Sequence, residues 1–309
     1  MDKPVIFVNI LAWNGERWLK GCLDSVFASE GADFKVLVVD NGSSDRSAEI
    51  VEKDYPQALL VRNAANLGFA EGNNVGIRYA LDRGADQVVL LNQDVTVDRQ
   101  WLSQLLSAAE TEREFQIFAP LQYDYEGREL DRLFLRGMLD MSPEFAEDYK
   151  KGEGFRKIYP LPTALGAAVL IKKEVFLKAG GFDPFYFVYH EETDLFQRCA
   201  YHGFRIALAP GSRINHWHGS LHPEEMALRS RYLTYRNKLV LMLKDPRISV
   251  FSGLLACFSW SWQFAAENAG PARGFLRIAL VAWLQLLVLF YLPLIAYKRF
   301  REKRGACYL

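Results

Sequence analysis

The chain has 309 residues, of which 50% are hydrophobic and 24% are charged, so a packed core is expected and global disorder is not. Its 37 basic and 37 acidic residues give a formal net charge of zero, which argues against a nucleic-acid-binding protein that depends on bulk positive charge. The 4 cysteines are scattered without CxxC pairing, a pattern that indicates reduced thiols in an intracellular protein. No signal peptide is expected at the N-terminus.

Strands and helices are predicted to alternate along the first third of the chain. Apolar runs predict strands at 5–11, 35–40, 58–62 and 88–91. Helical spacing and capping residues predict helices at 19–29, 43–54 and 72–83. This order indicates an α/β fold with a mostly parallel sheet and helices on both faces. Ligands bind such sheets beyond the carboxyl ends of the strands, which is where Asp40 and Asp94 lie.

The middle of the chain has a weaker pattern. Residues 123–159 are charged and aromatic, and we predict a lid-like loop there with a helix near 143–150. A buried strand is expected at 163–171, and helices are expected at 173–179 and 193–202.

Two apolar segments, 248–266 and 275–297, lie near the end of the sequence. Each approaches the roughly 20 apolar residues that a helix needs to span a bilayer. One interpretation is a pair of buried helices at the end of a soluble domain. The other is membrane association with both flanks cytoplasmic, favoured by basic residues on either side: Arg229, Arg231, Arg236, Lys238 and the run 298–304. Whether the helices span the bilayer or lie on it stays open.

Two segments suit recognition of a nucleotide. Asp40 and Asn41 end a predicted strand and begin a small-residue turn, where a carboxylate can accept hydrogen bonds from a base or a ribose; a helix cap is the alternative. The segment 63–74 is rich in glycine and asparagine. It permits close backbone approach and offers amide donors and acceptors, although a plain turn would have the same composition.

Other residues have the chemistry of metal ligands. Asn92, Gln93 and Asp94 place a carboxylate beside amides at a strand end, and such oxygens bind hard divalent cations that can neutralise a departing diphosphate. A lone aspartate at this position would more often be a cap. His216 and His218 alternate along a predicted strand and would share one face, where neutral imidazoles can bind Mn²⁺.

Three carboxylates begin the predicted helix at 193–202 or immediately precede it. Glu191, Glu192 and Asp194 repel one another, although the helix dipole offsets part of that cost. Acidic neighbours raise the pKa of a carboxylate, which suits it to act as a general base toward a hydroxyl group. A solvated acidic first turn is the alternative.

Taken in order, these segments resemble the family 2 glycosyltransferases, and specifically their bacterial rhamnosyltransferase-like branch. The resemblance covers about 5–244 and depends on the segments 38–45, 66–76, 91–94, 180–183, 191–195 and 216–220. The segment 231–238 also looks like that branch.

The resemblance implies a GT-A fold over 1–244, followed by a membrane-associating helical tail over 245–309. It implies a donor site formed by Asp40, Asn41, Asn66, Gly68, Phe69, Asn73, Asn92 and Gln93. Asp94 would be the remaining carboxylate of a DxD metal motif, with His216 as a further ligand and His218 as its alternative. Glu192 would be the catalytic base, with Glu191 as the alternative. Asp194 would bind the acceptor or support the structure.

The expected activity is an inverting, Mg²⁺- or Mn²⁺-dependent glycosyl transfer at the cytoplasmic face of the inner membrane. The branch suggests dTDP-L-rhamnose as the donor and a lipid-linked saccharide of a surface polysaccharide as the acceptor; a UDP-hexose is the leading alternative donor. A non-catalytic sugar-nucleotide-binding subunit of a polysaccharide assembly complex is a further alternative. A nucleotide-sugar pyrophosphorylase is disfavoured because the N-terminal segment lacks a glycine-rich loop bearing Arg or Lys. A dinucleotide oxidoreductase is excluded because no GxGxxG follows the first strand.

Overall fold

The computed structural model describes residues 3–152, 154–217, 228–268 and 274–309. In these residues nine strands form one sheet: β1 (Ile6–Ala12), β2 (Lys35–Asp40), β3 (Leu59–Arg62), β4 (Gln87–Asn92), β5 (Val95–Val97), β6 (Ile117–Tyr123), β7 (Tyr159–Leu161), β8 (Ala168–Lys172) and β9 (Ile206–His216). The α-helices of the same residues are α1 (Glu16–Phe27), α2 (Ser47–Asp54), α3 (Gly68–Asp82), α4 (Trp101–Thr111), α5 (Arg132–Met141), α6 (Pro143–Lys151), α7 (Lys173–Ala179), α8 (Glu191–Tyr201), α9 (Leu228–Lys244), α10 (Val250–Asn268) and α11 (Gly274–Arg304).

The sheet has the order β3-β2-β1-β4-β8-β6-β9-β5, and β7 pairs with β9. Strands β1 to β4 run parallel to one another, as predicted. Strand β8 lies antiparallel between β4 and β6, while β6 and β9 are parallel. The predicted α/β fold is therefore confirmed, with a parallel N-terminal half and a mixed second half.

Both faces of the central strands are covered. One core cluster holds Val8 and Ile10 of β1 with Leu19 of α1. The other holds Phe7 of the same strand with Ile77 of α3. Because successive side chains of a strand point to opposite faces, coverage of both faces requires the unbroken apolar runs from which these strands were predicted.

The predicted lid-like region is more ordered than expected. It contains two helices, α5 and α6, which pack through Phe134, Met138 and Phe145 on Leu121 of β6. Asp131 caps α5 by accepting hydrogen bonds from the backbone N–H groups of residues 133 and 134. The predicted helix near 143–150 is confirmed as α6, but α5 was missed.

Helices α10 and α11 coincide with the two apolar segments, and both pack against α9. The chain then returns to the first domain after α11. The backbone N–H of Gly181 donates to the carbonyl of Cys307 at 2.9 Å, and that of Ala306 donates to the carbonyl of Lys178 at 2.8 Å. The division at residue 244 stays a prediction, and these contacts fasten the end of the tail to the helices of the first domain.

Candidate functional site

A cavity of about 220 Å³ lies beyond the carboxyl ends of β1, β2 and β4, and we name it the strand-end cavity. Its lining contains six of the predicted residues: Asn41, Asn66, Phe69, Asn92, Gln93 and Asp94. Trp13, which follows β1 and is 49% exposed, also lines it and was missed. Trp13 could have been predicted as a site residue because it follows directly after a strand that ends at this edge of the sheet. Leu11 and Val188 complete the lining.

Asn41 organises the loop that forms one wall of the strand-end cavity. Its Nδ2 donates to Asn66 Oδ1 and to the carbonyl of Gly68, both at 3.1 Å. Its Oδ1 accepts from Asn63 Nδ2 at 3.0 Å. Gly68 has a φ of +83°, and a Cβ there would lie 2.6 Å from the ring of Phe187. Glycine is therefore required at this position by both backbone conformation and space.

Asp40 and Asn73 were also predicted to bind the donor and are absent from the lining of the cavity. Asp40 is almost fully buried, and its Oδ1 accepts from the backbone N–H of Ser43 at 3.2 Å. Asn73 is also buried, donating to the carbonyl of Phe69 at 3.0 Å and accepting from Asn9 Nδ2 at 3.1 Å. These contacts shape the wall of the cavity, and direct ligand contact by either residue stays a prediction.

Gln93 holds Trp13 in place. Its Oε1 accepts from the backbone N–H of Trp13 at 2.9 Å, and its Nε2 donates to the carbonyl of Trp13 at 3.1 Å. The side-chain amide thus bonds to the N–H and the C=O of the same residue, as a neighbouring strand would, and uses both its oxygen and its NH₂ group. Gln93 therefore holds the backbone of Trp13, whose exposed ring can stack on a planar ligand.

Asp94 and His216 meet at the start of β5. Val95 pairs with His216 across β5 and β9, and Nε2 of His216 lies 3.4 Å from Oδ1 of Asp94. His218 lies outside the described residues. Within the part of the chain that the structure describes, no three His, Cys, Asp or Glu side chains are grouped to hold a metal. Asp94 and His216 offer one oxygen and one nitrogen donor, which fits a divalent cation that takes its other ligands from phosphate oxygens and water.

Glu192 lines a second cavity of about 220 Å³, the Glu192 cavity, together with Asn92, Gln122, Gly166 and His216. Asn92 borders both cavities, so they adjoin. Burial raises the pKa of Glu192 to about 7, while His216 and the backbone N–H of Gly166 oppose the rise. A Cβ on Gly166 would lie only 1.5 Å from Oε1 of Glu192. The carboxylate therefore occupies the space that any other residue at 166 would fill.

Glu191 is almost fully buried and does not line either cavity. Burial, followed by the charge of Glu192, raises the pKa of Glu191 to about 8. Both glutamates are thus poised to bind protons near neutral pH. Only Glu192 also faces a cavity that adjoins the strand-end cavity.

Asp194 lies in a different environment from the two glutamates. Its carboxylate accepts from Lys244 Nζ at 2.6 Å, Arg198 Nε at 3.0 Å and Tyr186 Oη at 3.0 Å. It belongs to what we name the buried ion cluster, whose members are Asp183, Asp194, Glu302, Arg198, Lys244 and Lys298. The three carboxyl groups and three cationic side chains of the cluster have formal charges that sum to zero. These contacts give Asp194 a structural environment, so we leave it out of the proposed catalytic set.

Asp183 shows how the buried ion cluster is stabilised. Burial opposes its ionisation, but the ammonium groups of Lys244 and Lys298 outweigh that effect and hold the pKa of Asp183 well below its usual range. The ion pairs are short, at 2.8 Å to Lys244 and 2.7 Å to Lys298. Through these pairs the cluster joins α8 and the preceding turn to α9 and α11.

Comparison with solved structures shows the fold. TarS of S. aureus, solved with UDP-GlcNAc, has a TM-score of 0.60 at 15% identity, covering 98% of this chain and 89% of TarS. The mannosyltransferase PcManGT from Pyrobaculum calidifontis, solved with GDP-Man and Mn²⁺, has a TM-score of 0.59 at 19% identity, covering 98% and 85%. The predicted GT-A fold is confirmed by these similarities.

Comparison with sequences gives the family. The N-acetylglucosaminyl-diphospho-decaprenol L-rhamnosyltransferase of Mycobacterium tuberculosis is 28% identical over 218 residues, which are 64% of this chain and 71% of the relative. The dTDP-rhamnosyl transferase RfbF of Shigella flexneri is 23% identical over 252 residues, covering 78% and 80%. The sequence model described as "Glycosyl transferase family 2" matches residues 7–180, more than half of the chain. The chain therefore belongs to glycosyl transferase family 2.

Proposed function

We propose that this glycosyltransferase moves L-rhamnose from dTDP-L-rhamnose to a hydroxyl group of a lipid-linked saccharide, with inversion at the anomeric carbon. The observation that carries the chemistry is the carboxylate of Glu192, half-buried in a cavity that adjoins the strand-end cavity. The choice of sugar and acceptor follows the names of the relatives from M. tuberculosis and S. flexneri.

In this proposal the strand-end cavity holds the nucleotide. The ring of Trp13, whose backbone is held by Gln93, offers a face for the base, and Asn66 and Phe69 line the same cavity. The acceptor hydroxyl enters the Glu192 cavity. With its pKa raised to about 7 by burial, Glu192 can remove the hydroxyl proton near neutral pH as the new bond forms.

Asp94 and His216 would hold the divalent ion. A bound Mg²⁺ or Mn²⁺ supplies positive charge that stabilises the departing nucleoside diphosphate. The chain's own contribution is to fix the two donor atoms, since β5 pairs with β9 and the backbone N–H of Trp217 donates to the carbonyl of Asp94 at 3.1 Å.

A UDP-hexose remains the alternative donor, since TarS was solved with UDP-GlcNAc. The test is calorimetric titration with dTDP-rhamnose, UDP-glucose, UDP-N-acetylglucosamine and GDP-mannose, with Mn²⁺ and with EDTA. We expect metal-dependent binding of dTDP-rhamnose in preference to the others. Preferred binding of a UDP-sugar would refute the donor assignment, and binding of none by the folded protein would refute the transferase proposal.

Glu192→Gln separates an enzyme from a non-catalytic binding subunit. It should keep donor affinity and lose turnover, because a carboxamide cannot accept the proton. Glu144→Gln, on the exposed first turn of α6, is the matched control and should keep both. Unchanged turnover in Glu192→Gln would remove Glu192 as the base.

We also propose that α10 and α11 attach the enzyme to the cytoplasmic face of the membrane. By length and composition, one described helix could cross a bilayer, over Ile278–Arg304. Large apolar side chains are exposed along both helices: Val250, Phe251, Leu255, Phe258, Trp262, Ile278, Trp283, Leu286, Leu289, Phe290, Leu294, Tyr297 and Phe300. Exposed basic residues at the same end of the pair, Arg247, Arg301, Lys303 and Arg304, suit anionic headgroups.

The contacts of α11 indicate that this helix lies in one leaflet of the bilayer and does not cross it. From Tyr291 onward the helix touches the first domain, because the rings of Tyr291 and Phe185 are 5.4 Å apart and Lys298 pairs with Asp183. The apolar stretch before Tyr291 is about 13 residues, or about 20 Å of helix. The hydrocarbon core is about 30 Å thick.

A further inference from the structure

The segment 185–190, from Phe185 to His190, leads directly into the helix that carries Glu192. Three of its residues have left-handed backbone conformations although none is glycine: φ is +64° at Phe187, +72° at Tyr189 and +69° at His190. Such conformations persist only where the surrounding contacts enforce them. The segment also reaches the donor side, since Val188 lines the strand-end cavity.

The contacts that enforce this conformation come from α9. Asn237 is fully buried, and its Nδ2 donates to the backbone carbonyls of Tyr186, Val188 and Tyr189 at 2.9, 2.8 and 2.8 Å. These carbonyls converge on one amide group because of the left-handed turns. Without that donor, the carbonyls of Val188 and Tyr189 would lose these hydrogen bonds, whereas the carbonyl of Tyr186 also accepts from the backbone N–H of Val188 at 2.8 Å.

Arg236 completes the arrangement from the same helix. Its Nη2 donates to the carbonyls of Phe185 and Tyr186 at 2.7 and 3.2 Å. Its Nε and Nη2 also donate to Oδ1 of Asn237 at 2.9 and 2.7 Å, which fixes the amide with its NH₂ group toward the segment. Every polar group of Asn237 is therefore used.

The segment 185–190 is tied to both halves of the proposed reaction. On the donor side, the backbone N–H of Ala70 donates to the carbonyl of Phe187 at 3.2 Å, and Gly68 packs against the Phe187 ring. On the base side, His190 is the N-cap residue of α8, and its carbonyl accepts from the N–H of Asp194 at 3.0 Å. A shift of the segment would thus change the distance between the strand-end cavity and Glu192.

We propose that Asn237 is a positioning residue, which, supported by Arg236, sets the segment 185–190 and through it the place of the catalytic base relative to the donor. This gives a function to part of the segment 231–238, which resembles the rhamnosyltransferase-like branch. The proposal rests on the proposed function for its kinetic consequences, but its structural claim is independent of the substrate.

The first measurement is hydrogen exchange by mass spectrometry on the full chain, which needs no substrate. In Asn237→Ala, peptides covering 184–194 should exchange on the order of 10- to 100-fold faster, because each lost hydrogen bond is worth roughly tenfold in a local opening equilibrium. Ser261→Ala removes a buried hydroxyl that donates to the carbonyl of Cys257 and accepts from Gln285 of α11, and it should leave these peptides unchanged. Unchanged exchange in Asn237→Ala would overturn the proposal.

The second measurement is a kinetic split. Asn237→Ala should bind one donor per chain with affinity within about threefold of wild type, while kcat falls on the order of 10- to 100-fold. If activity falls only in proportion to the fraction of chains that no longer bind the donor, Asn237 has a merely structural role. That result would overturn the proposal. If Asn237→Ala does not fold, the same two measurements are made on Arg236→Lys. Lysine keeps the positive charge but cannot donate to the carbonyls of both Phe185 and Tyr186 as arginine does. An inactive wild type would refute the proposed function, and the exchange result would still decide the role of Asn237.

Discussion

Gly166 leaves the space that the carboxylate of Glu192, the proposed catalytic base, occupies, so a substitution at Gly166 tests that role. A Cβ there would lie 1.5 Å from Oε1 and 2.0 Å from Cδ of Glu192. The backbone at Gly166 has no left-handed φ, so alanine itself is compatible with the fold. The conflict is therefore with the Glu192 side chain, which can rotate away at little cost in stability.

The size of the effect follows from that distance. The carboxylate must move by about 1.5 Å to reach even 3.0 Å, a separation below which real Cβ contacts essentially do not occur. Displacement of a catalytic group by about 1 Å costs on the order of 100-fold in rate. We therefore expect Gly166→Ala to lower kcat by about 100-fold or more, roughly 2.7 kcal/mol in the barrier, with the melting temperature nearly unchanged.

The assay is steady-state transfer to an acceptor, combined with Glu192→Asp in a double-mutant cycle. Aspartate is shorter by one methylene and leaves room for the new methyl group. The double variant should therefore be more active than the product of the two single losses predicts. Wild-type kcat in Gly166→Ala, or strictly multiplicative losses in the double variant, would refute this account of the site.

Three further predictions concern the proposed metal ligands, the buried ion cluster and the proposed membrane face. His216→Ala should raise the Mn²⁺ concentration needed for donor binding by at least about tenfold in calorimetry, and an unchanged requirement would remove it as a ligand. Because its folded pKa is lowered, Asp183 stabilises the fold above its unfolded pKa, and this stabilisation is lost as pH falls below about 4. Thermal melts of Asp183→Asn should be less stable than wild type at pH 7 and lose less on acidification; parallel curves would contradict this. Phe290→Asp should weaken sedimentation with anionic vesicles, whereas the similarly exposed Leu177→Asp on α7 should not; equal losses would contradict the membrane face.

The sequence predicted the strands whose two faces are both buried. β1, β2 and β4 are covered on both faces, so their apolar runs needed no knowledge of the partner strand. The start of α3 was predicted four residues late, at 72, because its first turns are rich in glycine and asparagine, which disfavour helices. Long-range contacts stabilise it: Asn74 donates to the carbonyl of Phe182 at 2.9 Å and accepts from its N–H at 2.9 Å.

The candidate site was predictable where a side chain ends a strand, and less so on a helix. Asn92 and Asp94 were identified because the carboxyl ends of parallel strands share an edge. On α8 the three acids were treated as one group, but helix geometry separates them. Glu191 and Asp194 are three residues apart and share a face, whereas Glu192 is rotated by about 100° toward the cavity. The division of roles thus follows the helical period.

The buried ion cluster connects the helix of the proposed base to the helix of the proposed membrane face. Buried ion pairs add little net stability compared with apolar packing, but removing one partner leaves an uncompensated charge and costs about 3–5 kcal/mol. Lys244 of α9 contacts Asp194 of α8, Glu302 of α11 and Asp183, so its ammonium group links the three helices. Glu192 lies on α8 and the exposed apolar face includes α11. In the proposed function, the orientation of Glu192 relative to a bound bilayer is therefore set by the same ion pairs that hold these helices together.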